Sequence, residues 1–127
     1  MFAKSKAFSG FAVDDLGAAK TFYGETLGLD VVEDPPGLLT LRIAGGTNIM
    51  AYPKPDHTPA SFTILNFPVD DINQAVDELT ERGVSFERYE GFEQDEKGIA
   101  RVQGGQEGPP IAWFRDPAGN ILAVLEE

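Results

Sequence analysis

Side-chain chemistry needs a nucleophile, a base or a set of metal ligands, and this chain is poor in all three. His57 is its one histidine, and it contains no cysteine. Thiolate nucleophiles, disulfides and sulfur-ligated zinc are therefore excluded. With His57 alone available as a base, no Ser–His–Asp set is expected. His57 stands in the run Lys54-Pro55-Asp56-His57-Thr58-Pro59-Ala60, where it is expected to be solvent-exposed, away from any constellation that could hold a metal. Glu93, Asp95, Glu96 and Lys97 form a charged cluster whose expected role is solvation, a lid being the alternative. The glycines of Gly104-Gly105-Gln106-Glu107-Gly108 do not open a helix after a strand, so no phosphate cradle is expected there.

The totals narrow the field further. Ten basic against twenty-one acidic side chains give a net charge of −11, the wrong sign for the phosphate backbone, so nucleic acid is not an expected partner. The acidic balance favours solubility and would attract a cationic ligand without requiring one. An apolar share of 42% supports a real core in a chain of 127 residues, the length of one domain. No apolar run is long enough to span a bilayer. Lys4 and Lys6 near the N-terminus lack the apolar stretch of a secretory signal behind them. A cytoplasmic protein is expected.

The elements that must position any site come as two copies. Phe11-Ala12-Val13-Asp14-Asp15-Leu16 recurs as Phe67-Pro68-Val69-Asp70-Asp71-Ile72, Ala19 answers Ala75, and Glu25 answers Glu81. After a one-residue slip, Leu29-Asp30-Val31 answers Val84-Ser85-Phe86. A match that runs through a helix into the next strand indicates duplication.

In copy one a strand over 6–13 ends at Asp14-Asp15, which suits a helix N-terminus. Leu16, Ala19, Phe22, Tyr23 and Leu27 follow at helical spacing, and Gly28 is placed to end the helix. Strands are expected at about 29–33, 38–43 and 47–53. Copy two repeats the helix with Ile72, Ala75, Val76 and Leu79 up to Gly83. Its strands are expected at about 84–89, 110–115 and 121–126, the last two flanking the turn Asp116-Pro117-Ala118-Gly119-Asn120. The polar, Gly-rich stretch 90–109 leaves room for at most one short strand, near 98–103. One domain is expected, with module one at 4–53, a linker at 54–60 and module two at 61–127.

Two motifs carry a family likeness. The first is Val13-Asp14-Asp15-Leu16 running into Ala18-Ala19-Lys20-Thr21-Phe22-Tyr23 and then Leu27-Gly28-Leu29. The second is Ala112-Trp113-Phe114-Arg115-Asp116-Pro117-Ala118-Gly119-Asn120-Ile121-Leu122. In this order, on a duplicated chain, they resemble the vicinal-oxygen-chelate superfamily of glyoxalases, bleomycin-resistance proteins and extradiol dioxygenases, over about 6–126. The resemblance implies an α+β fold in which two βαβββ modules form a cup-shaped mixed β-sheet with helices outside. It also implies a homodimer, which would cover exposed sheet edges.

In enzymes of that family a divalent metal sits in the cup, held by His, Gln or Glu. Carried over position by position, the ligand sites fall on Phe8, Ile64 and Ala123, with the remaining one near Met50. None of these suits a hard divalent cation. A shift of one residue turns to the other sheet face, and a shift of two reaches Gly10, Asn48, Asn66 and Leu125, a poor set. No metal and no other cofactor are expected.

Strand alternation places Phe8, Gly10 and Ala12 on one face of the first strand and Phe11 and Val13 on the other, against the helix. The same rule turns Met50, Tyr52, Phe62, Ile64, Asn66, Trp113, Arg115, Ile121 and Ala123 towards the cup. The ligand-binding set is thus Phe8, Met50, Tyr52, Phe62, Ile64, Asn66, Trp113, Arg115 and Ala123. Small residues would leave volume there, aromatic rings would supply walls, and Asn66 and Arg115 would orient a small planar or aromatic molecule, including a cationic one. The alternative is that these side chains collapse into a second core. The function expected is metal-independent sequestration of a drug, toxin or metabolite, as in bleomycin resistance. A glyoxalase-like lyase or isomerase is the runner-up, and an accessory domain with a filled cup is the third reading.

Overall fold

A computed structural model of the chain describes residues 1–103 and 106–127, and at 102, 103, 106 and 107 the backbone alone. Gly104 and Gly105, part of the glycine run noted above, lie outside the described residues. The chain divides into two compact units, Met1–Thr58 and Pro59–Glu127.

In the first unit, β1 (Gly10–Val13) leads into α1 (Leu16–Thr21), followed by β2 (Asp30–Val32), β3 (Leu39–Arg42) and β4 (Ile49–Pro53). The sheet order is β1-β4-β3-β2, with β1 parallel to β4 and the other pairs antiparallel. Asp15 caps α1, its carboxylate accepting from the Ala18 N–H at 3.0 Å. Phe11 and Val13 turn towards the helix as strand alternation requires. The Phe11 ring lies 5.5 Å from that of Tyr23, and Val13 is fully buried. Ala19, Tyr23, Leu39, Leu41 and Ala51 complete this core.

The helix does not run on as α-helix. From Phe22 to Thr26 it widens into a π-turn, in which Leu27 N–H donates to the Phe22 carbonyl at 2.9 Å. A π-turn accommodates one extra residue. Copy one has one residue more than copy two between helix start and following strand, and the slip lies in this segment, between the Glu25–Glu81 and Gly28–Gly83 matches. The repeat mismatch is thus absorbed by a local widening. Gly28, at φ 74°, then ends the helix.

The second unit contains β5 (Thr63–Val69), α2 (Ile72–Glu81), β6 (Phe92–Gln94), β7 (Ala100–Gln103), β8 (Gln106–Arg115) and β9 (Ile121–Glu126). Its order is β5-β9-β8-β7-β6, with β5 parallel to β9 and the rest antiparallel. Asp71 repeats the cap of Asp15, accepting from Gln74 N–H at 3.1 Å. Ile72 and Val76 of α2 are buried on the side of β8 and β9. Ala112, Phe114, Leu122 and Val124 alternate onto the helix-facing side of those strands and are buried too.

Three strand expectations need correction here, the first being that the strand expected over 6–13 begins only at Gly10 and leaves Phe8 before it. Residues 84–89 form no strand beyond a single bridge, Phe86 with Phe114, next to which Glu87 N–H donates to the Trp113 carbonyl at 2.8 Å. The reason lies in the outer edge of β8. Its first half, as far as Ile111, is paired with β7, so only the last residues are left for 84–89. The stretch 90–109 correspondingly holds more than one short strand: β6, β7 and the start of β8.

The β8–β9 turn is closed by a buried polar pair. Asp116 Oδ1 accepts from Ala118 N–H at 3.0 Å and Asn120 N–H at 2.8 Å, while Oδ2 accepts from Asn120 Nδ2 at 3.0 Å. Gly119 takes φ 85°, open to glycine at little cost. This turn fixes the register that puts Trp113 opposite Ala123.

Candidate functional site

The first unit carries its share of the predicted residues on the sheet face away from α1. Register places Gly10 beside Met50 and Ala12 beside Tyr52. Gly10 matters for what it lacks. A Cβ there would come within 3.3 Å of the Met50 carbonyl oxygen and 3.6 Å of its Cε, so glycine lets the methionine lie across β1. Phe8, 64% exposed, and Met50 line one depression of about 230 Å³ with Pro35, Leu38, Thr40, Asn48 and Ile49. Sites for drug-sized molecules run to about 300–1,000 Å³, so this depression alone takes a ring fragment. Tyr52 is partly buried on the same face but does not line the depression.

In the second unit β8 and β9 bring Trp113, Ala123 and Ile121 together with Ala100 of β7, all buried. Asn66 lies beside Ala123 in the ladder and is exposed. Ile64 is partly buried, and Phe62, just before β5, is 68% exposed.

Trp113 is not an open wall. Tyr89 stands edge-on to it at 5.4 Å and Phe92 leans on it at 5.0 Å, leaving the tryptophan 8% exposed. Both rings come from the stretch after Gly83. Arg115 is likewise engaged: its Nε pairs with the Glu87 carboxylate, and Nη1 donates to the Gly119 carbonyl at 2.9 Å. The cation expected to orient a ligand is thus held by protein groups.

The segment carrying Tyr89 and Phe92 is firmly stitched. The Gln94 amide donates to the carbonyls of Glu87 at 2.9 Å and Gly98 at 2.8 Å, and its oxygen accepts from Tyr89 N–H at 2.8 Å. Arg88 Nη2 donates to the Asp95 and Glu96 carbonyls. Asp95 does more than solvate, accepting from Lys97 N–H, Ile99 N–H and Arg101 Nη1, each at 2.9 Å. Burial pushes its carboxyl up, but Ile99, Arg101 and Lys97 outweigh that and hold it below the ordinary value.

One polar atom stands apart. The Tyr89 hydroxyl is covered and has no hydrogen-bond partner among the described residues. Burial raises this phenol above its ordinary value, while Arg115 lowers it and Glu87 raises it. Tyr89, Phe92 and Gln94 escaped the sequence reading. The signal available was Phe86, Tyr89 and Phe92, aromatics three apart in an otherwise polar region.

A larger depression, about 480 Å³, lies at the start of α2 among Asp70, Asp71, Gln74, Glu78 and Glu127. None of the predicted binding residues lines it, and the Asp71 carboxylate there is taken by the helix cap.

The residues at the ligand positions implied by the family resemblance do not fit a divalent metal. Phe8, Ile64 and Ala123 offer no ligand atom, and Met50 offers only a soft thioether. Among the described residues no three His, Cys, Asp or Glu side chains form a group that could hold a metal ion. His57 is partly buried rather than exposed, its N–H donating to the Lys54 carbonyl at 3.0 Å. The groups brought together on the two sheet faces are mostly apolar and aromatic, with Asn66 and the paired Arg115 and Glu87 as polar members.

The family model described as Glyoxalase/Bleomycin resistance protein/Dioxygenase superfamily matches residues 7–124. Among curated proteins there is no match. Among solved structures, TnmS3, an antibiotic binding protein from a Streptomyces strain, is 28% identical with a TM-score of 0.67, covering 99% of this chain and 98% of that one. A glyoxalase/bleomycin resistance protein/dioxygenase superfamily member from Sphaerobacter thermophilus is 26% identical with a TM-score of 0.64, over 95% and 97% of the two chains. The fosfomycin resistance protein FosX from Listeria monocytogenes, 16% identical over 95% and 91%, shares the fold with a TM-score of 0.66.

Proposed function

Because the chain belongs to the glyoxalase/bleomycin resistance protein/dioxygenase superfamily, we propose that it is a metal-independent binding protein that sequesters a small planar or aromatic molecule of the antibiotic or toxin kind. What carries this reading is that the metal-ligand positions implied by the family resemblance fall on Phe8, Ile64 and Ala123, with the fourth near Met50. A hard cation has nothing to bind there, whereas a ring system has apolar surface to lie on. The likeness to TnmS3, an antibiotic binding protein, supports binding as the role.

A homodimer in the cytoplasm belongs to the same proposal. Its support is the exposure of Phe8 and Phe62, apolar rings that a second copy would cover, and the lack among the described residues of any helix long and apolar enough to cross a membrane.

The experiment is chelation. A metal that binds only the folded state raises stability by RT ln(1 + [L]/Kd), so removing it lowers the melting temperature. Purified protein should melt at the same temperature with and without EDTA, followed by circular dichroism. A drop of several degrees would mean a structural metal and would overturn the proposal.

A further inference from the structure

The aromatic cluster of the second unit holds a hydrogen-bond donor with nothing to donate to. Tyr89 packs on Ala100, Trp113, Ile121 and Ala123, whose side chains include no acceptor. Its hydroxyl is covered and has no partner among the described residues. An unpaired buried hydroxyl is unfavourable, and native structures hold few of them. The residue is also fixed in place: Gln94 holds its backbone N–H, and the Trp113 ring meets its own edge-on. Tyr89 and Phe92 are only partly buried, so the margin of the cluster meets solvent, and a planar molecule would reach the covered hydroxyl by displacing its neighbours.

We propose that the Tyr89 phenol is the donor that selects, among planar aromatic ligands, those bearing a neutral acceptor atom such as a ring nitrogen or a carbonyl oxygen. This rests on the small-molecule-binding reading above and narrows it. The raised phenol keeps its proton through the neutral range and so remains a donor. A hydrogen-bond donor favours an acceptor over a second donor, and the Arg115 charge felt by the phenol is balanced by its partner Glu87. Selection by a buried donor is effective because a ligand without the acceptor leaves that donor unpaired.

The probes are quinoline and naphthalene, planar rings of the same shape that differ in one acceptor nitrogen, titrated at pH 8. Trp113 is the only tryptophan, so its indole N–H gives one NMR cross-peak to follow in the wild type and in Tyr89→Phe. The ratio of quinoline to naphthalene affinity should fall about fivefold to tenfold in Tyr89→Phe, the worth of one hydrogen bond. The variant itself should melt at the wild-type temperature or above it, having lost an unpaired hydroxyl. An unchanged ratio, or a variant that melts several degrees lower, would overturn the role of Tyr89 and leave the binding reading standing. If neither probe moves the wild-type indole peak, the binding reading fails and this inference fails with it.

Discussion

Trp113→Ala should destabilise the protein by about 3–5 kcal/mol, the usual loss when a buried aromatic ring is truncated. The ring is 8% exposed, and Tyr89 and Phe92 lie on it at 5.4 and 5.0 Å, so the substitution removes the centre of the second unit's aromatic face. Ala100 and Ala123 beside it are too small to fill the gap. Trp113→Phe keeps a ring in place and should lose less than half as much. Because Trp113 is the only tryptophan, unfolding in urea has to be followed by far-ultraviolet circular dichroism. A loss below about 1 kcal/mol for the alanine variant would mean that the ring does not pack as described.

The second large effect is expected at Asp116, 4% exposed and accepting from Ala118 N–H, Asn120 N–H and Asn120 Nδ2. Asp116→Ala removes that acceptor from all three donors, two of which belong to the buried Asn120. Hydrogen bonds to a charged group contribute about 1.5–3 kcal/mol each, with losses that overlap within one turn. A loss of about 2–4 kcal/mol is expected. Asp116→Asn retains an oxygen for the two backbone donors but faces Asn120 with a second amide, so it should fall between wild type and alanine. The turn sets the β8–β9 register, so Asp116→Ala should also disturb the environment of Trp113, seen as a red shift of its fluorescence. An alanine variant as stable as the asparagine one would show that the buried pair is not what closes the turn.

Much of the fold was legible because duplication writes each element twice. The capping aspartates Asp15 and Asp71 fall at matching positions and act alike. The one-residue slip was visible in the sequence, but its form as a π-turn over Phe22–Thr26 was not, since a bulge and a longer loop leave the same mismatch. Residues 84–89 have the composition of a strand, yet strand formation depends on a free edge, and β7 occupies most of the edge of β8. Glycines and charges hid β6 and the start of β8, where backbone pairing overrides local preference.

The site was legible by face and not by partner. Strand alternation placed Trp113 and Ala123 together, as the ladder does. What covers Trp113 could not be read, because the three-residue spacing of Phe86, Tyr89 and Phe92 is not the alternation of a strand and names no partner. Nor could the pairing of Arg115 with Glu87, which brings together side chains distant in sequence through the bridge of Phe86 to Phe114.

Native mass spectrometry of protein taken directly from cells tests the central proposal, binding of a small planar molecule without metal or turnover. It should record a pair of chains carrying an organic molecule, no divalent ion, and the same molecule released unchanged on denaturation. Stoichiometric manganese, iron, nickel or zinc, or chains that carry no organic molecule at all, would contradict it.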